Sequence, residues 1–362
     1  MSSASDTIQS IELRRLELPL ETPYWSMIST IHAFDPLFIE VSTRSGAIGM
    51  GECVIVPGYS HELPETSWSF CVEQAGQLVG QTLLKSIEQV RTHEKSYSHA
   101  VSILVAALEM AHGHPLLQPA TEERRVALVA PLHSKEFAQL SDEIELRVSE
   151  GFGVLKVKVG QNVRADLSRT AFIQSVVAGR AKIRLDANQG FSPEDGCRFA
   201  SSLDPYGIEL LEQPCAAEDW EAAIRVKEVS KVPMMLDESI FDEEDIERAA
   251  KSNAAEFVKL KLVKMSGLTA LKSGLDCIAH NKMGAILGNG VATDINNWME
   301  ACASVGTLET AGEMNGFLKS SVRLFRNPLL FDKGNIVLPA GYIPELDRAV
   351  LDRCTRLRER FS

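Results

Sequence analysis

Several short apolar runs end in groups that can move protons or hold a cation. VLKVKVG carries Lys156 and Lys158, KIRLDAN carries Asp186 and Asn188, IELLEQP ends at Glu212, PMMLDES reaches Asp237 and FVKLKLV carries Lys259 and Lys261. In an extended chain residues two apart project to the same side, so each of these pairs shares a face. A single charged strand end is ordinarily solvated. Three carboxylates at intervals of 26 and 25 residues, flanked by lysine pairs, are different: if they converge they repel one another unless a cation joins them. Three oxygen ligands with no histidine at ligand spacing describe a hard-cation site. That favours Mg²⁺, with Mn²⁺ possible, over zinc, which prefers nitrogen and sulfur.

The elements that would bring these groups together recur along the chain. Apolar runs begin near Val126, Val154, Lys182, Ile208, Pro233, Phe257, Gly284 and Thr310, at intervals of 24 to 28 residues. Helical spacing fills the gaps, as in Asp166 to Val177 and Glu243 to Ala250. Eight strand–helix units predict a closed (β/α)₈ TIM-type barrel, whose active sites lie at the C-terminal strand ends. An open doubly wound sheet is the alternative, but no GxGxxG follows the first strand and its usual strand count is smaller.

The division expected is an N-terminal α+β capping domain over 1–125, the barrel over 126–325, and a segment 326–362 returning to the cap. IQSIELRRLELPL, PLFIEVST and GAIGMGECVIV predict three antiparallel strands, with helices near Ser67 to Leu78 and His99 to His112. Asp347 to Arg360 has the pattern of a charged amphipathic helix.

The runs KVKVG, RLDANQG, LLEQP, MLDES and KLKLVKMSG resemble, in order and spacing, the muconate lactonizing enzyme subgroup of the enolase superfamily, over nearly the whole chain. The resemblance implies that Asp186, Glu212 and Asp237 bind Mg²⁺. It implies that Lys158 and Lys261 are acid/base groups on opposite faces of the substrate, with Lys156 beside Lys158 stabilising the oxyanion. It also implies homo-oligomers, and that two N-terminal loops close over the barrel mouth, which makes Tyr24, Trp25, His32, Tyr59 and His61 lid candidates. The chemistry is coherent with this. Removing a proton α to a carboxylate builds a dianionic enediolate, whose charge a metal neutralises, and nearby cations favour a lysine's neutral, basic form over its usual pKa near 10.4.

Glu313, in GEMNGFL, matches the family's eighth-strand glutamate and is expected to face the substrate. Asp294 either holds a substrate ammonium or caps the helix INNWMEA, the cap being favoured. Lys259 is expected one layer deeper, paired with a carboxylate, and Glu238 to point away from Asp237, with Asn188, Glu238 and Lys259 supporting the inner groups. Dipeptide epimerases of the subgroup use Asp-x-Asp on the eighth strand, where this chain reads Glu313-Met314-Asn315. Similarity to cis-3-hydroxy-L-proline dehydratase-like members places dehydration of a hydroxylated cyclic amino acid first, with racemisation or epimerisation of an amino acid, proline betaine or N-acyl amino acid second. A Schiff-base aldolase and a non-catalytic binding protein are the readings of other classes.

Composition narrows the partners. The chain of 362 residues has 37 basic and 49 acidic side chains, a net charge of −12, the wrong sign for binding nucleic acid. No run of 18 apolar residues predicts a membrane span, and no secretory signal is visible. Seven scattered cysteines without CxxC spacing read as free thiols of a cytoplasmic protein. The expected partner is a small carboxylate, an amino acid derivative.

Overall fold

Alternating apolar residues in the first 55 positions build strands before any helix forms. The computed structural model describes residues 6–25, 30–58 and 61–362 and, within them, every side chain but those of residues 24 and 25. Strands β1 (Ile8–Leu16), β2 (Leu18–Trp25), β3 (Thr30–Phe34), β4 (Pro36–Thr43) and β5 (Ile48–Val54) precede helices α1 (Pro64–Leu78), α2 (Leu83–Arg91) and α3 (Ser98–His112). Five strands replace the three expected: the first run breaks at Glu17 into β1 and β2, and β3 pairs with β2 as a separate hairpin.

Helix α3 lies directly on β5, and glycine makes that possible. A Cβ on Gly49 would stand 1.9 Å from the Ala107 carbonyl oxygen, and one on Gly51 2.0 Å from that of Ile103. Both faces of this contact are apolar and buried, with Ile103, Leu104 and Ala107 from the helix against Ile39, Val41 and Cys53 from the sheet.

The barrel follows as β6 (Arg124–Ala127), β7 (Val129–Leu132), α4 (Phe137–Ser149), β8 (Val154–Lys158), α5 (Val163–Val177), β9 (Lys182–Asp186), α6 (Pro193–Ser202), β10 (Ile208–Glu212), α7 (Trp220–Val229), β11 (Met234–Leu236), α8 (Glu243–Lys251), β12 (Phe257–Leu260), α9 (Leu268–His280), β13 (Gly284–Leu287) and α10 (Asp294–Ser304). Strands β7 to β13 form one sheet of seven in sequence order, with parallel pairing as βαβ units require. The predicted eighth strand is a short segment around Gly312 rather than a regular strand. It nevertheless closes the ring, because the Gly312 N–H donates to Ala127 O, its carbonyl accepts from Val129, and Glu313 donates to Leu287 O, each at 2.9 Å. The fold is a (β/α)₈ barrel with an antiparallel N-terminal cap.

Two further expectations need correction. The run at Val126 splits at Leu128: β6 joins an antiparallel sheet with β15 (Asn335–Leu338) and β14 (Leu330–Asp332), and only β7 enters the barrel. The predicted terminal helix stops at Cys354 as α11 (Arg348–Cys354), and β16 (Thr355–Phe361) pairs with the free edge of β1, where Ile11 faces Phe361. That edge supplies the hydrogen bonds that outweigh the local helical pattern. Among the described residues no helix is long and apolar enough to cross a membrane, and all seven cysteines are unpaired.

Candidate active site

Strand register sets the inner groups abreast. Lys158 pairs laterally with Asp186, and Asp186 with Glu212, while Leu236 beside Val258 brings the next residue, Asp237, level with Lys259. Non-glycine residues adopt left-handed backbone just past these acids, at Asn188 (φ +40°), Gln189 (+66°) and Gln213 (+36°). Such conformations persist where the surroundings hold them. Gln213 shows how: its Oε1 accepts from the Asp237 and Ser239 N–H groups at 3.0 and 3.3 Å, and its Nε2 donates to Ser239 Oγ at 2.8 Å, fixing the fifth strand end to the fourth.

Asp186, Glu212 and Asp237 are 1%, 0% and 2% exposed, and ammonium groups surround them. Lys156 Nζ stands 2.8 Å from Asp186 Oδ2 and 2.7 Å from Glu212 Oε2, and it also bonds Glu313. Lys158 donates to the same Asp186 oxygen at 2.6 Å and bonds Asn188, whose own N–H donates to Asp186 Oδ1. Lys261 reaches Asp237 Oδ2 at 2.8 Å, while Lys264 donates to the Asp237 carbonyl at 2.6 Å and to Oδ1 at 3.0 Å. Lys259 lies deeper, as expected, 3.0 Å from Glu212 Oε1 and 3.3 Å from Asp237 Oδ2, and bonds Glu313 Oε2.

These contacts set the charge states. Burial pushes the Asp186 carboxyl up, but Lys156, Lys158 and Lys259 outweigh it and hold it at about 2. Burial is likewise overcome at Asp237 by Lys259, Lys261 and Lys264, and at Glu313 by Lys156, Lys259 and Arg184, so both stay well below the usual range. Glu212 goes the other way, to about 7, through burial and repulsion from Asp186. Lys156 is held as an ammonium because Asp186, Glu212 and Glu313 outweigh its burial, whereas burial lowers Lys264.

A cavity of about 460 Å³ is lined among others by Lys156, Lys158, Asp186, Asp237, Lys259, Lys261 and Glu313, whereas Glu212 is not on its surface. Its size suits a small molecule. Lys158 and Lys261 sit on the second and sixth positions of the eight-membered ring and so face each other across it.

The remaining candidate groups fall in several places. Glu313 lines the cavity, but its two oxygens are engaged by Lys156 and Lys259. Asp294 is not among the lining residues. It is the first residue of α10, whose N-cap is Thr293, and its Oδ2 accepts from the Leu324 N–H at 2.5 Å, so it does not cap its own helix. Glu238 does not turn away: it lines the cavity and accepts from Asn188 Nδ2 at 2.9 Å. His61 lines the cavity, whereas His32 is exposed on β3. Tyr24 and Trp25 end β2, their side chains lie outside the described residues, and Tyr59 lies outside them altogether.

Sequence reasoning missed Gln213 and Lys264. Lys264 was readable in principle: a 3₁₀ turn over Leu262–Lys264 folds it back beside Lys261, and K-x-x-K after a strand is its signal. Gln213 leaves no pattern of its own, because its role comes from Asp237 and Ser239, just past β11.

Comparison with known proteins bears on this arrangement. The enolase C-terminal domain-like family matches residues 139–342, more than half of the chain. The chain belongs to the enolase superfamily. Among superfamily relatives, L-Ala-D/L-Glu epimerase of Bacillus subtilis is 26% identical over 302 residues, 77% of this chain and 81% of that protein. Cis-3-hydroxy-L-proline dehydratase of Roseibium aggregatum is 29% identical over 291 residues, 75% of this chain and 77% of that protein. The solved structure of a dipeptide epimerase from Cytophaga hutchinsonii, complexed with Mg and D-Ala-L-Val, superposes with a TM-score of 0.89 at 20% identity, covering 98% of this chain and 100% of that one. Other relatives of similar identity are epimerases, a racemase and a muconate cycloisomerase. The relatives named are mostly isomerases of amino-acid-like carboxylates, with a dehydratase among them.

Among the described residues no three His, Cys, Asp or Glu side chains already form a metal cage, since ammonium groups stand between the carboxylates. The donor set nonetheless fits a hard divalent ion. All three acids are buried at adjacent strand ends, and Glu212 Oε2, beside Lys156, lies outside hydrogen-bond geometry, an oxygen suited to a cation rather than to an N–H donor.

Proposed function

We propose that this enzyme abstracts the α-proton of a small amino acid or acylated amino acid and returns it to the opposite face, as a racemase or epimerase that uses Mg²⁺ or, in its place, Mn²⁺. The observation that carries this reading is the opposition of Lys158 and Lys261 across a cavity lined by the buried carboxylates Asp186 and Asp237. Asp186, Glu212 and Asp237 would hold the ion, which when bound supplies positive charge to the substrate carboxylate as the enediolate forms. One lysine, as the neutral amine, takes the proton at the α-carbon; the other, as the ammonium, delivers one to the far face. Lys156, held as an ammonium, adds positive charge beside Lys158. Residues 126–325 would carry this chemistry, with 1–125 and 326–362 as the cap. The unpaired thiols fit a cytoplasmic setting.

Dehydration of a β-hydroxy amino acid is a second reading, supported by the 29% identity to the Roseibium dehydratase. It stands second because two opposed lysines need no leaving group, and because the relatives are mostly isomerases. Proton NMR in D₂O with free and N-succinyl amino acids, dipeptides and hydroxyprolines tests both readings. Mg²⁺-dependent loss of the α-proton signal with loss of optical activity is expected. Elimination products select the second reading, and no exchange with any of them contradicts both.

A further inference from the structure

Lys259 makes the candidate metal site unusual in its charge. Four carboxylates meet at the barrel floor, Asp186, Glu212, Asp237 and Glu313, and five ammonium groups touch them, from Lys156, Lys158, Lys259, Lys261 and Lys264. With all of them ionised, the cluster carries no net negative charge before a divalent ion arrives. Hard-cation sites ordinarily draw their affinity from an excess of ligand charge. Lys158 and Lys261 approach from the cavity walls, whereas Lys259 is 2% exposed and projects from below. Its ammonium touches Glu212 and Asp237, two of the three candidate ligands, together with Glu313.

We propose that Lys259 is a built-in counter-cation that binds the carboxylates together in the metal-free protein and that lowers the affinity of the site for a divalent ion. The inference rests on the reading of Asp186, Glu212 and Asp237 as the metal-binding set. Buried carboxylates without a cation repel and destabilise the fold, so a lysine among them holds the strand ends in register while no metal is bound. The same ammonium then opposes the incoming ion. Glu313 is the group that draws Lys259 away from Glu212 and Asp237, because among the described residues it is the one partner of Lys259 outside the metal-binding set.

Mn²⁺ alone is the probe, titrated by the EPR signal of the free ion and by thermal unfolding with and without the metal. Lys259→Met, of similar length and without charge, is expected to bind Mn²⁺ roughly tenfold or more tighter than the wild type. Its metal-free form should melt at a lower temperature, and Mn²⁺ should raise that temperature by more than it does for the wild type. Equal or weaker Mn²⁺ binding by Lys259→Met overturns the proposal. Should that protein not fold without metal, Glu313→Gln decides: it leaves Lys259 to the metal-binding acids and is expected to weaken Mn²⁺ binding, while unchanged or tighter binding overturns the proposal. Asp186→Asn separates the two claims. If it binds Mn²⁺ as the wild type does, the metal-site reading itself fails. If it loses binding while Lys259→Met is unchanged, only the counter-cation role fails.

Discussion

Glu52, on β5 of the N-terminal sheet, accepts hydrogen bonds from the N–H and the hydroxyl of Thr293 at 3.1 and 2.7 Å, although 241 positions separate them. Thr293 is the N-cap of α10, so a carboxylate of the cap sits at a barrel helix's positive end. Glu109 of α3 does the same at α9, accepting from the Leu268 and Thr269 N–H groups at 2.5 and 3.1 Å. Further along α10, Glu300 accepts from the N–H groups of Leu262 and Asn289 at 2.9 and 3.0 Å, tying the residue after Lys261 to the seventh-strand loop. The cap is therefore latched to the same helices that support the cavity wall.

That latch gives stability a pH dependence. Burial pushes Glu52 from an ordinary 4.5 up to about 7, and Glu300 likewise. A carboxyl whose folded pKa is raised favours the folded state in its protonated form, so its contribution is complete below about 4.5 and is lost as pH rises to about 7. Urea unfolding of the wild type should carry this loss of stability between pH 5 and 7.5. Glu52→Gln should flatten it, with a change in slope worth roughly 3 kcal/mol at most. An unchanged slope would contradict the role given to Glu52.

Gly51 is expected to tolerate no side chain. A Cβ there meets the Ile103 backbone, not a movable side-chain tip, so β5 and α3 would have to part. Gly51→Ala should cost about 3 kcal/mol or more, read as a lowered unfolding temperature, whereas Gly46→Ala, with nothing within 4 Å, suffers only from its positive φ.

Lys264 holds both the carbonyl and the carboxylate of Asp237. Lys264→Met removes both bonds together with one of the five charges that oppose the ion, so stability reads it more cleanly than affinity does. The metal-free variant should lose about 1–3 kcal/mol in urea unfolding as Asp237 is left with fewer partners, whereas wild-type stability would show that Gln213, Lys259 and Lys261 hold Asp237 without it.

What the chain reveals without its fold is uneven for physical reasons. The barrel and the inward acids were legible because strand recurrence and the two-residue side-chain period are local properties. Asp186, Glu212 and Asp237 converge as that reading requires. Strand β16 was not legible: TRLRERF is charged enough to read as helix, and only the free edge of β1, more than 300 residues away, makes it a strand. The capping role read for Asp294 failed for a related reason: it was judged by its position in the chain, but its partner is Leu324. Glu313 does line the cavity, and what its position in the chain left out is its pairing with Lys156 of β8 and Lys259 of β12.

The central claim, that Lys158 and Lys261 serve opposite faces of one α-carbon, is tested most directly by deuterium wash-in with each enantiomer of a turned-over substrate. Lys158→Ala and Lys261→Ala should each lose racemisation by at least about 10³-fold, and each should keep α-proton exchange with one enantiomer only, not the same one. Exchange in both should stop when EDTA removes the metal. Continued racemisation by either variant, or loss of exchange with the same enantiomer in both, would contradict the account.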